Sequence, residues 1–83
     1  MDDAQITTRI EALIALEHEL RHREEHEASS EDLDADAAKL REVEVQLDVC
    51  WDLLRQRRAL RAAGADPDQA EPRDADTVEH YRQ

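Results

Sequence analysis

Apolar residues recur every three or four positions along the first third of the chain, and polar residues fill the positions between them. This apolar stripe consists of Ile6, Ile10, Leu13 and Leu20, with Ile14 and Leu16 widening it. Because the repeat matches the turn of an α-helix, it predicts one amphipathic helix over residues 3–27. Asp2 or Asp3 is placed to cap that helix by accepting hydrogen bonds from the free N–H groups of its first turn. Glu17 and Glu24 lie on the same stripe, so its C-terminal half is polar.

A second, longer helix is predicted over residues 31–63, after a turn at residues 28–30. Ser29 or Ser30 can cap its start, and Gly64 ends it because glycine adopts the left-handed conformation at little cost. The main stripe of this helix consists of Leu33, Leu40, Val43, Leu47, Cys50 and Leu54, with Trp51 beside it. A second ridge, on roughly the opposite face, consists of Val45, Val49, Leu53 and Leu60. A helix with two apolar ridges is either covered on both sides or exposes one of them.

The short turn predicts that the two helices pack antiparallel, as a coiled-coil-like hairpin. Folding the chain at residues 29–30 sets apolar residues opposite one another in four pairs: Leu20 with Leu40, Leu13 with Leu47, Ile10 with Cys50, and Ile6 with Leu54. The same register brings opposite charges together, namely Arg55, Arg57 and Arg58 near Asp2 and Asp3, and Arg21 and Arg23 near the acidic start of the second helix. The predicted fold class is therefore all-α, with residues 1–64 as an antiparallel two-helix hairpin.

The remaining residues, 65–83, are predicted to form a linker and a short C-terminal tail helix. Asp66-Pro67 breaks the helical pattern, so residues 65–73 are expected to be a polar linker. Residues 74–82 fit a helix of one or two turns, which needs tertiary contacts to persist. The anchors of this tail helix would be Val78 and Tyr81.

A two-helix hairpin has a single seam, so it cannot bury the second ridge of the longer helix. Pairing two hairpins into a four-helix bundle would bury that ridge, and we therefore expect a homodimer. The alternative is that the ridge binds a different protein. The expected dimer or partner interface consists of Val45, Val49, Leu53, Leu60 and Trp51, with packing within the hairpin as an equal alternative for Trp51.

Composition disfavours several classes of function. The 83 residues carry a formal net charge of −11, which disfavours binding to nucleic acid and to an anionic membrane surface. No apolar run approaches the ~18 residues that a membrane span needs, and the chain does not open with the basic region of a signal peptide. The single cysteine cannot form an internal disulfide, which fits a reducing cytoplasm. Since no nucleophile–base pair or cofactor loop is evident, we expect neither an enzyme nor a cofactor.

Arginines cluster near the end of the second helix. Arg55, Arg57, Arg58 and Arg61 are four of the 11 basic residues, and guanidinium groups bind phosphate in bidentate fashion. The cluster is therefore the candidate site for an anionic ligand. The competing interpretation is that these arginines pair with the acidic start of the first helix.

Histidines at helical spacing form the other chemical candidate. His18, His22 and His26 lie on one face of the first helix, where neighbouring imidazoles can share a zinc, nickel or copper ion. The competing interpretation is a solvated polar face, and since no further ligand completes a site we expect no metal. Cys50 lies on the core stripe with no histidine near it, and is interpreted as a small buried residue rather than a nucleophile.

The stretches MDDAQITTRIEALIALEHEL, LREVEVQLDVCWDLLRQRRALR and DPDQAEPRDADTVEHY cover most of the chain. They resemble a family of short actinobacterial proteins with no assigned function, and the CWDLLRQRR block is the most specific part. That resemblance implies a small soluble intracellular protein. The hairpin outline is also similar to anti-sigma factors of the aerial-mycelium type, which bind a cyclic dinucleotide through a helical Glu-x3-Ser-x2-Arg-x3-Gln-x3-Asp pattern. The residues at those spacings are Glu44, Asp48, Trp51, Arg55 and Ala59, so only the glutamate matches and the ligand motif is absent.

Together these features predict a non-enzymatic helical module for protein–protein interaction. We expect it to act in the cytoplasm as a regulator or adaptor, through a homodimeric bundle. The alternative is a sensor of a small phosphate or nucleotide ligand that uses the arginine cluster. A further alternative is metal binding by the three histidines.

Overall fold

The structure, a computed structural model, describes the backbone of residues 1–26 and 30–73 and the side chains of residues 1–23 and 31–73. Helix α1 (Asp3–His26) and helix α2 (Ser30–Ala62) are followed by a short 3₁₀ helix at Pro67–Gln69. The described part of the chain is therefore all-helical, as predicted, and each helix end lies within one residue of its predicted position. The expected tail helix at residues 74–82 lies outside the described residues.

Local side-chain and backbone chemistry accounts for the start of α1 and the end of α2. Asp2 Oδ1 accepts a hydrogen bond from the Gln5 N–H, and Gln5 Oε1 accepts one from the Asp2 N–H, both at 2.8 Å. This reciprocal pair is a capping box. At the other end Gly64 adopts a φ of 75°, and the Ala65 N–H donates to the Leu60 carbonyl at 2.8 Å. That geometry is a Schellman motif, which ends α2 where the sequence predicts.

The core of the hairpin is a seam of apolar residues from both helices. All eight residues of the four predicted pairs belong to it, with Leu13, Leu40 and Leu54 partly buried and the others buried. Leu33 is an exception to the predicted stripe, because it lies exposed near the loop end of the hairpin. The buried residue at that end of the seam is Asp36, one turn further along α2.

The chain after Gly64 turns back and packs on α2, on a side that α1 leaves open. Ala70 contacts the hydrophobic core, and the 3₁₀ helix lies against α2. Residues 65–73 were expected to be a polar linker, but they form a second covering of α2. Leu53, a member of the second ridge, is 6% exposed and belongs to the core of the single chain.

Candidate functional site

The structure divides the arginine cluster into two arginines that pair with carboxylates and two that pair with no acid among the described residues. Arg57 is only 7% exposed, and its guanidinium donates to Asp3, to Asp68 Oδ1 at 2.9 Å and to the Pro67 carbonyl at 3.2 Å. Arg61 Nη2 donates to Asp3 Oδ2 at 2.6 Å. These two arginines therefore join α1, α2 and the 3₁₀ segment, and we call this group the clasp.

Mutual pairing keeps the groups of the clasp charged. The Arg57 hydrogen bond is the main cause that holds the pKa of Asp3 below its ordinary value of 3.8, and the charge of Arg61 adds to it against the opposing effect of desolvation. The hydrogen bonds from Arg57 to Asp3 and Asp68 likewise raise the pKa of Arg57. Since the guanidinium charges are already matched by carboxylates, the clasp is a structural tie, as the competing interpretation of the cluster predicts.

Arg55 and Arg58, by contrast, lie exposed, and no ion pair joins either of them to a residue that the structure describes. A shallow pocket of about 460 Å³ opens beside Arg55. Its lining consists of Asp52, Arg55, Gln56, Ala59 and Arg73. Asp52 is buried, accepts a hydrogen bond from Gln56 at 2.9 Å and lies 3.4 Å from the Arg73 guanidinium. The pocket therefore combines the exposed Arg55 with the buried Asp52, whose carboxylate already pairs with Gln56 and Arg73.

Two exposed apolar residues of the hairpin are Trp51, at 49% exposure, and Ile14, at 37%. An ion pair between Arg21 Nη2 and Glu44 Oε1, at 3.0 Å, gives the register on this side of the seam. Ile14 lies two turns before Arg21 on α1, and Trp51 lies two turns after Glu44 on the antiparallel α2. The two apolar side chains are therefore at the same level, one on each helix.

Polar residues continue this side of the hairpin above and below the two apolar side chains. We call the whole surface the Trp51 flank; it consists of Thr7, Glu11, Ile14, His18 and Arg21 on α1 and Glu44, Asp48, Trp51, Arg55 and Arg58 on α2. All ten residues are exposed except Glu44 and Asp48, which are half-buried. In both helices they follow the alternating spacing of four and three residues that keeps a stripe on one side of a coiled coil.

The second ridge does not form one continuous free surface. Leu53 is buried, and Leu60 is half-buried beside Gln69 and Arg73 of the returning segment. Val45 and Val49 are half-buried as well. Of the five residues expected at the interface, Trp51 is therefore the most open to a partner. The sequence pattern missed this because it carries no signal for where the chain goes after Gly64.

Two buried acids were also missed by the sequence pattern. Asp36 lies at the loop end of the seam with one carboxylate oxygen 3.2 Å from Arg23 Nε, and Asp52 lies under Arg73. The residues of the seam recur every three or four positions, and counting four positions back from Leu40 gives position 36. This spacing would have identified Asp36 as a residue of the seam. The predicted proximity of Arg23 to the acidic start of α2 is confirmed by this ion pair.

The histidine candidate is only partly within the described residues. His18 and His22 are exposed on α1, and the side chain of His26 lies outside them. Within the described part, no group of three histidine, cysteine, aspartate or glutamate side chains is arranged to hold a metal ion. Cys50 is buried in the core, as interpreted from its place on the stripe. None of the described helices is long and apolar enough to cross a membrane.

Comparison with known proteins gives a consistent picture. A family model described as "Protein of unknown function (DUF2630)" matches residues 2–83. The uncharacterised protein Rv0898c of Mycobacterium tuberculosis and the uncharacterised protein Mb0922c of Mycobacterium bovis are each 47% identical over 79 residues. Each match covers 95% of this chain and 88% of the relative. No solved structure matches the chain.

Proposed function

Because the chain belongs to the DUF2630 family of proteins of unknown function, its relatives supply no activity, and we propose that it is a non-enzymatic helical module for protein–protein interaction. It acts as a regulator or adaptor in the cytoplasm, and it works as a homodimer in which two hairpins form a four-helix bundle. The interface is the Trp51 flank rather than the whole second ridge.

The single observation that carries this proposal is the exposure of Trp51. A tryptophan that packed only within its own hairpin would be largely buried, whereas this one is 49% exposed with Ile14 beside it. Tryptophan side chains dominate many interfaces because a large apolar ring is removed from water when the partner binds. A pair of apolar residues ringed by polar ones is the usual composition of an interface core.

We expect Trp51→Ala to weaken dimerisation about 1,000-fold, since truncating one central interface tryptophan costs about 2 kcal/mol and a homodimer loses two of them. Light scattering over a concentration series measures the effect, because the solution mass would fall from twice to once the 9.6 kDa of the chain. In the wild-type chain Trp51 is the only tryptophan, so its fluorescence emission also reports dilution directly. Its maximum should move to longer wavelength as the dimer dissociates.

Leu16→Ala is the matched control. Leu16 is 41% exposed, on the flank of α1 that faces away from Trp51, so its removal tests the loss of an exposed apolar side chain without touching the proposed interface. Its dimerisation should equal that of the wild type. A wild-type chain that stays monomeric at every concentration, or a Trp51→Ala chain that dimerises normally, would contradict the proposal.

A second candidate function is a sensor of a small anionic ligand, and the pocket beside Arg55 is the observation that favours it. The ligand would meet Arg55 and Arg73 at the mouth of the pocket, whereas Arg57 and Arg61 are engaged in the clasp. Inorganic phosphate and a panel of nucleotides at millimolar concentration are the probes, since a ligand of the folded state raises the melting temperature. No shift with any of them would exclude this candidate.

A further inference from the structure

We infer that the partner on the Trp51 flank is a second copy of this chain, docked with each helix antiparallel to its counterpart about a twofold axis that passes at the level of Ile14 and Trp51. The inference rests on the proposed function. It adds the orientation of the two chains in the dimer and the charged residues that specify this orientation. The evidence is the charge of this flank and the order of its charges along each helix.

The net charge of the flank is the first argument. The chain carries a formal charge of −11, so most pairs of its surfaces repel one another. The Trp51 flank instead holds three carboxylates and three guanidinium groups, which gives it a formal charge of zero with histidine neutral. A second copy, itself strongly acidic, meets least repulsion when two such neutral flanks face each other.

The order of charges along α2 is the second argument. Glu44 and Asp48 precede Trp51 by seven and three residues, and Arg55 and Arg58 follow it by four and seven. A twofold axis at Trp51 that reverses the helix direction places the acidic half of one α2 against the basic half of the other. Both copies then make the same complementary contacts, as an isologous interface requires.

Helix α1 repeats the arrangement around Ile14. Glu11 precedes Ile14 by three residues and His18 follows it by four, so the same axis sets the glutamate of one copy beside the imidazole of the other. Ile14 meets its own counterpart, next to the Trp51 pair, because the two residues lie at the same level of the hairpin. The four apolar side chains therefore form one continuous centre, ringed by charge pairs.

The alternative orientation differs in which helices face each other. A twofold axis parallel to the helices would set α1 of one copy against α2 of the other, with Glu11 opposite Arg55 and Arg21 opposite Glu44. Reversing the charges of α2 would then be matched by nothing on α1, so mixing two chains with opposite reversals restores the dimer only if α2 faces α2.

Charge reversal tests the inference. One variant carries Arg55→Glu and Arg58→Glu, which makes the α2 part of its flank wholly acidic; the other carries Glu44→Arg and Asp48→Arg, which makes it wholly basic. Each variant alone should dimerise at least about tenfold more weakly than the wild type, because like charges now meet. An equimolar mixture should restore the mass of two chains, as a heterodimer.

The control variant carries Arg9→Glu and Lys39→Glu, which gives the same change in charge as the acidic variant, at exposed positions away from the flank. Circular dichroism of each variant shows whether the hairpin remains folded. Weak self-association of both reversed variants, with recovery on mixing, supports the inference. A dimeric wild type with reversed variants that behave like the control overturns the inference and leaves the interaction module standing. A wild type that is monomeric throughout overturns both.

Discussion

Leu53→Asp is expected to unfold most of the molecules, an effect much larger than the loss of a dimer contact. Leu53 is 6% exposed in the single chain and packs in the core, with Ala70 of the returning segment packed against the same core. The substitution removes a buried apolar side chain, which costs about 2–5 kcal/mol, and places an unpaired carboxylate in an apolar site, which adds to that cost. Small domains have a total stability of about 5–15 kcal/mol, so little of it would remain.

Circular dichroism at increasing urea concentration measures this effect. Ala59→Asp is the control, because it introduces the same charge at an exposed position of α2. The control chain should keep its helical signal and nearly its wild-type midpoint, whereas the Leu53→Asp chain should lose most of its helix in buffer alone. Equal midpoints for the two variants would mean that Leu53 is not buried in the folded chain.

This result also decides how the interface can be tested. A second ridge that was free in the hairpin would make Leu53→Asp a selective probe of dimerisation, with the helices left intact. Because the returning segment helps to cover that side of α2, a mass measured for this variant reports unfolding instead. Trp51 is the better probe, since its half-exposed ring can be removed without opening the core.

Arg57→Met is expected to lower the melting temperature several times more than Arg41→Met does. The Arg57 guanidinium ties three segments together through Asp3, Asp68 and the Pro67 carbonyl. Without it the 3₁₀ helix loses its charged contact with α2, and the start of α1 is held only by the ion pair between Arg61 and Asp3. Methionine keeps most of the side-chain volume, so the difference between the variants reports the polar contacts rather than packing.

Thermal unfolding followed at 222 nm compares the two variants. Arg41 is the matched control because it lies exposed on α2, outside the clasp and outside the Trp51 flank. A second readout is proteolysis after Arg73, which should become faster in the Arg57→Met chain if the returning segment is released. Identical melting temperatures and identical cleavage rates for both variants would show that the clasp does not hold the segment.

The clasp also gives the folded chain a dependence on acid. The pKa of Asp3 is lower in the folded state than its ordinary value of 3.8, because Arg57 and Arg61 favour the carboxylate. The folded state therefore gains stability from this group above that value and loses it as the pH falls through the lower folded-state pKa. In Asp3→Asn the decline of the melting temperature below about pH 4 should be less steep, whereas the exposed control Asp34→Asn should follow the wild type.

The two helices and their antiparallel pairing can be predicted from the sequence, because helix formation and a short turn depend on residues that are close along the chain. Apolar residues at three- and four-residue intervals predict both helices, Gly64 marks the end of α2, and a short turn restricts the register to one that matches apolar with apolar. The pairing of Asp3 with Arg57 follows from the same register, and the capping of α1 by Asp2 follows from the residues of its first turn.

Only part of the Trp51 flank can be predicted from the sequence. Trp51 is identified by its residue type and its place beside the stripe. Its neighbour Ile14 was assigned only to a wider stripe of α1, because periodicity within one helix does not say which flank of a hairpin a residue shares with the other helix. The Arg21–Glu44 ion pair supplies that information, and with it the neutral charge of the whole flank.

The local sequence of this protein thus determined its helices, their ends and the layers of their seam, because each depends on neighbours within a few turns. The tertiary structure decided which apolar and charged residues remain available to a partner. That outcome depends on the path of residues 65–73, which return over α2, pack Ala70 against the core that contains Leu53 and engage Arg57, while Trp51 and Arg58 remain exposed. An apolar ridge on a helix has the same sequence pattern whether it is buried by another part of its own chain or by a partner protein. Only the packed structure distinguishes these two cases.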